Sequence, residues 1–471
     1  MADAGVMHIH VGQDLVIENA TPEVIKYCED FLVLPNPDYI KKERLGKWTG
    51  NTPREIWLFE RDGNNVRLPY GCWRDLYALC PENTLWDGHF KPLERLNYES
   101  LISLYPYQEK AVKTALNARN GVLVMPCGSG KTQCGLELVS RIGGRALWLT
   151  HTADLLNQSK ARAESVLGQG GYGTITAGKV NIGTHITFAT VQTMAKLDLS
   201  KYRDVFDVVI CDECQHACGS PTKVTQFYRV VSNLAAKYKY GLTATPKRAD
   251  GLERSMFALL GSKICEITRE EVAHTTCQVK LSTIETGWTP DFDAVLMGDG
   301  TIDYNKVIDN MIHDEKRYSV ILEQLKSFGK MPTMVLANRV EYLQKLCHDF
   351  NEYQYGTGVC LSGRGQSKAA REERKAALNA LNTGEIDCIF ATYALAKEGL
   401  DVPNLRHVVF ATPEQDETTV IQAAGRVGRK ADGKDCGIVF DFVDNFGMYR
   451  GWYKKRLRYY KKIGMEIDES C

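Results

Sequence analysis

Long apolar runs are missing from this chain, and no uninterrupted stretch approaches the roughly 18–20 residues that a membrane-spanning helix needs. The opening residues, MADAGVMHIHVGQ, lack the charged-then-apolar layout of a secretory signal. A cytoplasmic protein with no membrane partner is therefore expected. Net charge is missing too. Lysine plus arginine and aspartate plus glutamate both total 58, so any attraction for a polyanion has to be local. Cysteine is dilute, 15 in 471 residues, and the odd number leaves at least one thiol unpaired. That excludes a disulfide scaffold and fits buried thiols in a reducing compartment. Neither a short repeat nor a low-complexity tract is present.

What is present is length and alternation. A chain of 471 residues exceeds one ordinary core and predicts roughly two to four domains. Residues 1–98 combine strand-like runs (Met7–Ile17, Glu55–Glu60), a helical stretch Thr21–Phe31 and a loop-like Pro35–Pro53, which reads as a small α+β accessory module. Short apolar runs then alternate with helical stretches: Gly121–Met125, Arg145–Thr150, His185–Thr190, Val205–Cys211 and Tyr238–Thr243. The alternation restarts near Val307, with Pro332–Ala337, Gly358–Ser362, Cys388–Thr392, His407–Ala411 and Asp435–Phe440, and Glu270–Gly300 reads as a connection. Buried strands separated by helices predict parallel sheets covered on both faces. The expected fold is α/β, with tandem parallel-sheet domains over 99–275 and 276–448 and a basic, aromatic tail over 449–471.

The first run of the central region, GVLVMP, leads into Cys127-Gly128-Ser129-Gly130-Lys131-Thr132 and then the helical QCGLELVSRI. Strand, glycine-rich turn and helix are the parts of a phosphate cradle, in which backbone N–H groups and the helix N-terminus face the anion. Gly128, Ser129 and Gly130 would form the cradle, Lys131 would reach the β- and γ-phosphates, and Thr132 would offer its hydroxyl to Mg²⁺. The implied cofactors are ATP and Mg²⁺. Met125 stands where the strict pattern has its first glycine.

A second apolar run ends in Asp212-Glu213-Cys214-Gln215-His216. Carboxylates at the carboxyl end of a buried parallel strand sit where such sheets place ligands. ATP hydrolysis needs one carboxylate for the metal, assigned to Asp212, and a group that orients and deprotonates water, assigned to Glu213. Gln215 and His216 would relay the nucleotide state. Taken alone the pair also suits a solvated loop, and Cys211, Cys214, His216 and Cys218 leave a structural zinc site as a lesser alternative.

These residues, in this order, resemble the superfamily 2 helicases from about Leu104 to Val443, most closely the XPB-like and phage UvsW-like branch. Tyr105-Pro106-Tyr107-Gln108 resembles the adenine-reading segment, and Ala146–Gln158 and Thr187–Thr193 resemble strand-contact motifs. Gly241-Leu242-Thr243-Ala244-Thr245-Pro246 resembles the coupling motif, Ala391–Asn404 motif V, and Gln422-Ala423-Ala424-Gly425-Arg426-Val427-Gly428-Arg429 motif VI. Thr243–Gly251, Ser362–Asn404 and the small N-terminal module resemble that branch as well.

The resemblance implies two RecA-like domains with ATP between them. Gln108 would contact the base, Asp401 the ribose, Gln422 the water, and Arg426 and Arg429 the γ-phosphate as arginine fingers. His216, Thr243 and Thr245 would couple hydrolysis to grip, and Thr152, Thr190 and Thr193 would hold the nucleic-acid backbone without reading sequence. The implied activity is that of an ATP-dependent DNA helicase or translocase, a monomer that unwinds or branch-migrates duplex or branched DNA in replication, recombination or repair. If phage-encoded, it would work in the host cytoplasm. An RNA helicase, the motor subunit of a restriction-type complex and a slowly hydrolysing ATP-binding clamp remain as alternatives. The tail segment Tyr449–Ile463 offers basic residues for phosphate contacts or, equally, an aromatic face packed on the second domain.

Overall fold

The computed structural model describes residues 6–168, 170–218, 225–246, 251–273, 275–298, 300–362, 367–397 and 402–467. Two compact units divide near Thr268 and Arg269. The architecture is the α/β one expected, with two RecA-like parallel sheets and a small module before them.

In the N-terminal module, strands order as Glu60–Asp62, Asn65–Pro69, Asp14–Glu18, His8–Val11 and Leu85–Gly88. The run read as one strand from Met7 is a hairpin, because Gly12 and Gln13 turn the chain between its two halves. Pro35–Pro53 is not all loop. Asn36 caps a helix Pro37–Arg44, Pro37 starts it, and Lys41, Lys42 and Arg44 suit its carboxyl end. That helix buries nothing, so no apolar stripe marked it in the sequence.

The module is fastened to the sheet that follows it. Trp73 Nε1 donates to Asn120 Oδ1 at 2.6 Å, and Tyr70 Oη donates to the Lys237 carbonyl at 2.6 Å. A Cβ on Gly71 would come within 2.4 Å of the Gly261 backbone nitrogen, so backbone meets backbone there.

That sheet orders as Lys179–Asn181, Tyr172–Thr176, Ile186–Thr190, Ala146–Thr150, Val208–Asp212, Tyr238–Thr243, Asn120–Val124 and Lys263–Glu266. All pairs are parallel except the one made by Lys179–Asn181. The five runs read from the sequence are its five central strands, and each is almost wholly buried. The helix Lys131–Ile142 lies close on it, since a Cβ on Gly135 would meet the Trp148 ring at 2.7 Å.

Lys239 is fully buried in the strand Tyr238–Thr243. Its ammonium group donates to the carbonyls of Gln13 (3.3 Å) and Val231 (3.2 Å) and lies 4.9 Å from the Tyr70 ring centre. Burial pulls its pKa down to about 7, with Asp14 opposing. Between about pH 7 and the ordinary lysine range the unfolded chain therefore binds the proton that the folded chain does not, and stability rises with pH across that window. Lys239→Met should remove this slope. Urea midpoints at pH 7, 8 and 9 would show it as a wild-type-minus-variant difference that grows with pH.

The second sheet is wholly parallel and orders as Gly358–Cys360, Cys388–Thr392, Thr333–Ala337, His407–Phe410, Cys436–Val443, Gln278–Glu285 and Glu466–Ile467. The stretch Glu270–Gly300 is thus more than a connection. Its strand Gln278–Glu285 pairs with Cys436–Val443 along its whole length. Only two of its eight residues, Val279 and Leu281, are buried, so no continuous apolar run marked it.

The basic, aromatic tail forms a helix Gly447–Lys462 that is built into this unit. Tyr449 joins the apolar cluster containing Trp288 and Phe446, and Tyr460, Ile463 and Met465 join the one containing Val408 and Phe410. Arg456, on the same helix, is buried and forks onto Asp441 with two bonds of 2.8 Å, and Tyr460 Oη also donates to that carboxylate. Lys454, Lys455, Arg458, Lys461 and Lys462 are exposed.

Candidate nucleotide site and coupling network

Three neighbouring parallel strands, Asn120–Val124, Tyr238–Thr243 and Val208–Asp212, bring the glycine-rich turn, Thr243 and Asp212 to one edge of the first sheet. Sheet order does what the sequence could not, because Lys131 and Asp212 are far apart along the chain.

The turn has the backbone a phosphate cradle needs. Gly128 and Gly130 have φ of 80° and 81°, in the left-handed region, and Gly130 caps the twelve-residue helix Lys131–Ile142. A Cβ on Gly130 would lie 2.4 Å from Gln108 Nε2, so a side chain there would have to displace the Gln108 amide. Gln108 is buried, and its Oε1 accepts from the Tyr105 backbone N–H at 3.0 Å, which caps the helix Pro106–Ala118. Tyr105 is half-exposed and stacks on Tyr107, with centroids 5.9 Å apart and planes 5° from parallel. Lys131 folds back toward the strand end, with Nζ 3.4 Å from the Met125 carbonyl.

Asp212 is buried at the end of its strand, and its Oδ1 accepts from the Glu213 backbone N–H at 3.1 Å. Burial, then the adjacent Glu213 carboxylate, pushes the Asp212 acid above its usual range, while Lys131 pulls it back. Glu213 has φ 52° and ψ 52°, a left-handed conformation that a non-glycine residue adopts at a cost. It turns the carboxylate away from the strand direction. Gln215 Nε2 donates to Glu213 Oε2 at 2.8 Å, Thr243 Oγ1 donates to Gln215 Oε1 at 2.7 Å, and the Thr245 backbone N–H donates to Thr243 Oγ1 at 3.0 Å. A continuous hydrogen-bonded line therefore joins Thr245 to Glu213. Gln215 is its central link. His216 is exposed and instead meets the His151 ring at 4.4 Å, while burial holds His151 below the usual imidazole range against the pull of Glu213.

Two buried polar atoms beside this line, Thr245 Oγ1 and His151 Nδ1, lack a partner among the described residues. With the glycine cradle, a carboxylate at the strand end and a lysine at the turn, the residue set fits a nucleotide triphosphate with a divalent cation.

On adjacent strands, Thr152 caps the helix Ala153–Val166 through the Leu155 N–H (3.3 Å), and the buried Thr190 hydroxyl donates to Thr193 Oγ1 at 3.0 Å. Gln192, which sequence reasoning did not single out, is exposed, and its Nε2 donates to the His151 carbonyl at 2.7 Å. No periodicity marks it; its one signal is a place inside the Thr187–Thr193 motif.

Gln422, Arg426 and Arg429 belong to the second unit, the first two on the helix Glu417–Arg426. Arg426 is buried and donates to the Ala396 carbonyl. Asp401 lies outside the described residues, as do the central residues of Thr243–Gly251.

Residues 101–248 match the family described as type III restriction enzyme, res subunit, and residues 316–431 match the helicase conserved C-terminal domain. A putative ATP-dependent RNA helicase of Acanthamoeba polyphaga mimivirus is 25% identical over 96% of this chain and 84% of its own length. The DNA 3'-5' translocase XPB2 of Sulfurisphaera tokodaii is 25% identical over 70% of this chain and 80% of its own. The ATP-dependent DNA helicase uvsW of Enterobacteria phage T4 is 22% identical over 84% and 87%. Among solved structures, S. cerevisiae Dbp5 bound to RNA and ADP BeF3 shares the fold, with a TM-score of 0.55 at 17% identity over 77% of this chain and 89% of that one. Among the described residues, no helix is long and apolar enough to cross a membrane.

Proposed function

We propose that this chain, which belongs to the superfamily 2 helicases in the XPB- and UvsW-like branch and is a nucleic-acid-dependent ATPase, unwinds or branch-migrates duplex or branched DNA. The observation that carries the reading is the hydrogen-bonded line from Thr245 through Thr243 and Gln215 to Glu213, which ties the water-orienting carboxylate to the coupling motif.

In this reading Gly128, Ser129 and Gly130 cradle the phosphates, Lys131 neutralises them and Gln108 contacts the base. Thr132 and Asp212 hold Mg²⁺, which supplies charge neutralisation when bound. Glu213 accepts the proton of the attacking water. The second unit contributes Gln422, Arg426 and Arg429, and Asp401 the ribose contact. Thr152, Thr190 and Thr193 hold the strand by its phosphates, so sequence preference is weak. The working form is a monomer in the cytoplasm, the host's if the gene is a phage's. DNA is favoured as the track because XPB2 and uvsW carry DNA in their names. The mimivirus relative, named an RNA helicase, favours RNA as the second reading.

The test is ATPase rate with single-stranded DNA, duplex, a fork or four-way junction, and matching RNA, with Lys131→Ala as control. Greatest stimulation by the junction supports the reading, and stimulation by RNA alone replaces it with the second.

Two further results are expected. Thr243→Ala, which breaks the line, should lower stimulated ATPase by about tenfold, the weight of one or two kcal/mol of hydrogen bonding. Nucleotide affinity, measured by equilibrium titration, should stay within about twofold. Neutralising the exposed Lys454, Lys455, Arg458 and Lys461 should flatten the salt dependence of DNA binding, by about 0.7–0.9 in log–log slope for each phosphate no longer neutralised. An unchanged slope would confine the tail helix to packing.

A further inference from the structure

The first strand of the N-terminal module reads His8-Ile9-His10, and strand alternation sends Ile9 to the core and both imidazoles outward. Pairing adds acids on the same face. Glu18 stands opposite His8 in the antiparallel neighbour, and Asp87 stands opposite His10 in the parallel one. His89 follows Asp87 by two residues and returns to that face, its backbone N–H bonded to the Val11 carbonyl at 2.8 Å. Three imidazoles and two carboxylates from three adjacent strands thus share one surface.

The distances are those of a ligand set. His89 Nε2 lies 3.2 Å from Asp87 Oδ2 and 3.4 Å from His10 Nδ1, and His10 Nδ1 lies 3.8 Å from Asp87 Oδ2. Ligands about 2.0–2.1 Å from a tetrahedral zinc ion are about 3.3–3.4 Å from one another. The other nitrogen of His10, Nε2, lies 3.6 Å from Glu18 Oε1. Closing from that distance to hydrogen-bond range, the carboxylate would hold His10 in its metal-binding tautomer, as partners on the far nitrogen of ligand histidines do.

We propose that His10 Nδ1, Asp87 and His89 Nε2 bind a divalent zinc-class ion, with Glu18 orienting His10 and the fourth position open to water. The ion clasps the module's last strand, Leu85–Gly88, to its first, His8–Val11. It is separate from the Mg²⁺ of the nucleotide site in place and in chemistry, since imidazole selects zinc-class ions over magnesium.

The test uses the untagged full chain after chelator treatment, titrated with Co²⁺ and followed by visible absorption, then back-titrated with Zn²⁺. One saturable equivalent without thiolate charge-transfer bands is expected, and Asp87→Asn and His89→Ala should each weaken it at least about tenfold. Both side chains are more than half exposed, so neither change threatens the fold, and retained ATP binding confirms this. Absence of saturable binding, or binding indifferent to both substitutions, overturns the proposal. Loss in His348→Ala instead would assign the ion to the exposed His348–Glu352 pair, 2.9 Å apart, and overturn it equally.

Discussion

Glu213→Gln is expected to lower nucleic-acid-stimulated ATPase by about two to four orders of magnitude, the range a positioned general base contributes. ATP affinity should move by no more than about threefold. Glutamine keeps the size of the side chain and can still accept from Gln215 Nε2, so the hydrogen-bonded line and the strained turn at φ 52° should survive. What is lost is the ability to take a proton from water. Lys131→Ala should behave differently, raising the dissociation constant for ATP as well, because it removes the charge that meets the phosphates. Single-turnover hydrolysis beside equilibrium nucleotide binding separates the two. If Glu213→Gln hydrolyses ATP at more than a tenth of the wild-type rate, Glu213 is not the base.

Asp444→Ala should cost the second unit about 3–5 kcal/mol, the penalty for stranding a buried charge. Arg317 is wholly inaccessible, and its guanidinium is met by Asp444 at 2.7 and 3.2 Å, by Tyr342 Oη at 3.2 Å and by the Ala411 carbonyl at 2.8 Å. Thr286 Oγ1 adds a 2.6 Å bond to the same carboxylate. With total stability on the order of 5–15 kcal/mol, the loss is a large fraction of what keeps the unit folded. Arg317→Met combined with Asp444→Leu should recover much of it, since two apolar side chains leave no charge to strand. Glu417→Gln, which breaks the exposed Lys462–Glu417 pair, should change stability by less than about 1 kcal/mol. Urea unfolding of the three variants checks the order. A cost below about 1 kcal/mol for Asp444→Ala would mean that Arg317 finds water or another acid.

The same two residues show where sequence reading stopped. The glycine-rich turn was legible because its parts are local: a buried strand, two left-handed glycines and a helix follow one another along the chain. Asp212 and Glu213 were legible because the run before them is uniformly apolar. Arg317, Arg456 and Lys239 were not, since a basic residue in a helix or strand reads as surface until its partner from a distant segment is known. The strand Gln278–Glu285 was hidden by its outward-facing residues, and the helix Pro37–Arg44 by its lack of an apolar stripe. The link from Gln215 to Thr243 needed the order of strands, which periodicity does not encode.

That order also governs how the chain is made. Gln278–Glu285 is the first strand of its sheet to leave a ribosome, yet both its neighbours, Cys436–Val443 and Glu466–Ile467, lie far downstream of it in the chain. At about 5–20 residues per second the strand waits on the order of ten seconds or more with its hydrogen-bonding edges bare. The sheet that carries the glycine-rich turn needs nothing beyond Glu266 and can be finished meanwhile. Each nascent molecule therefore passes through an interval in which a completed first sheet precedes an open-edged second one.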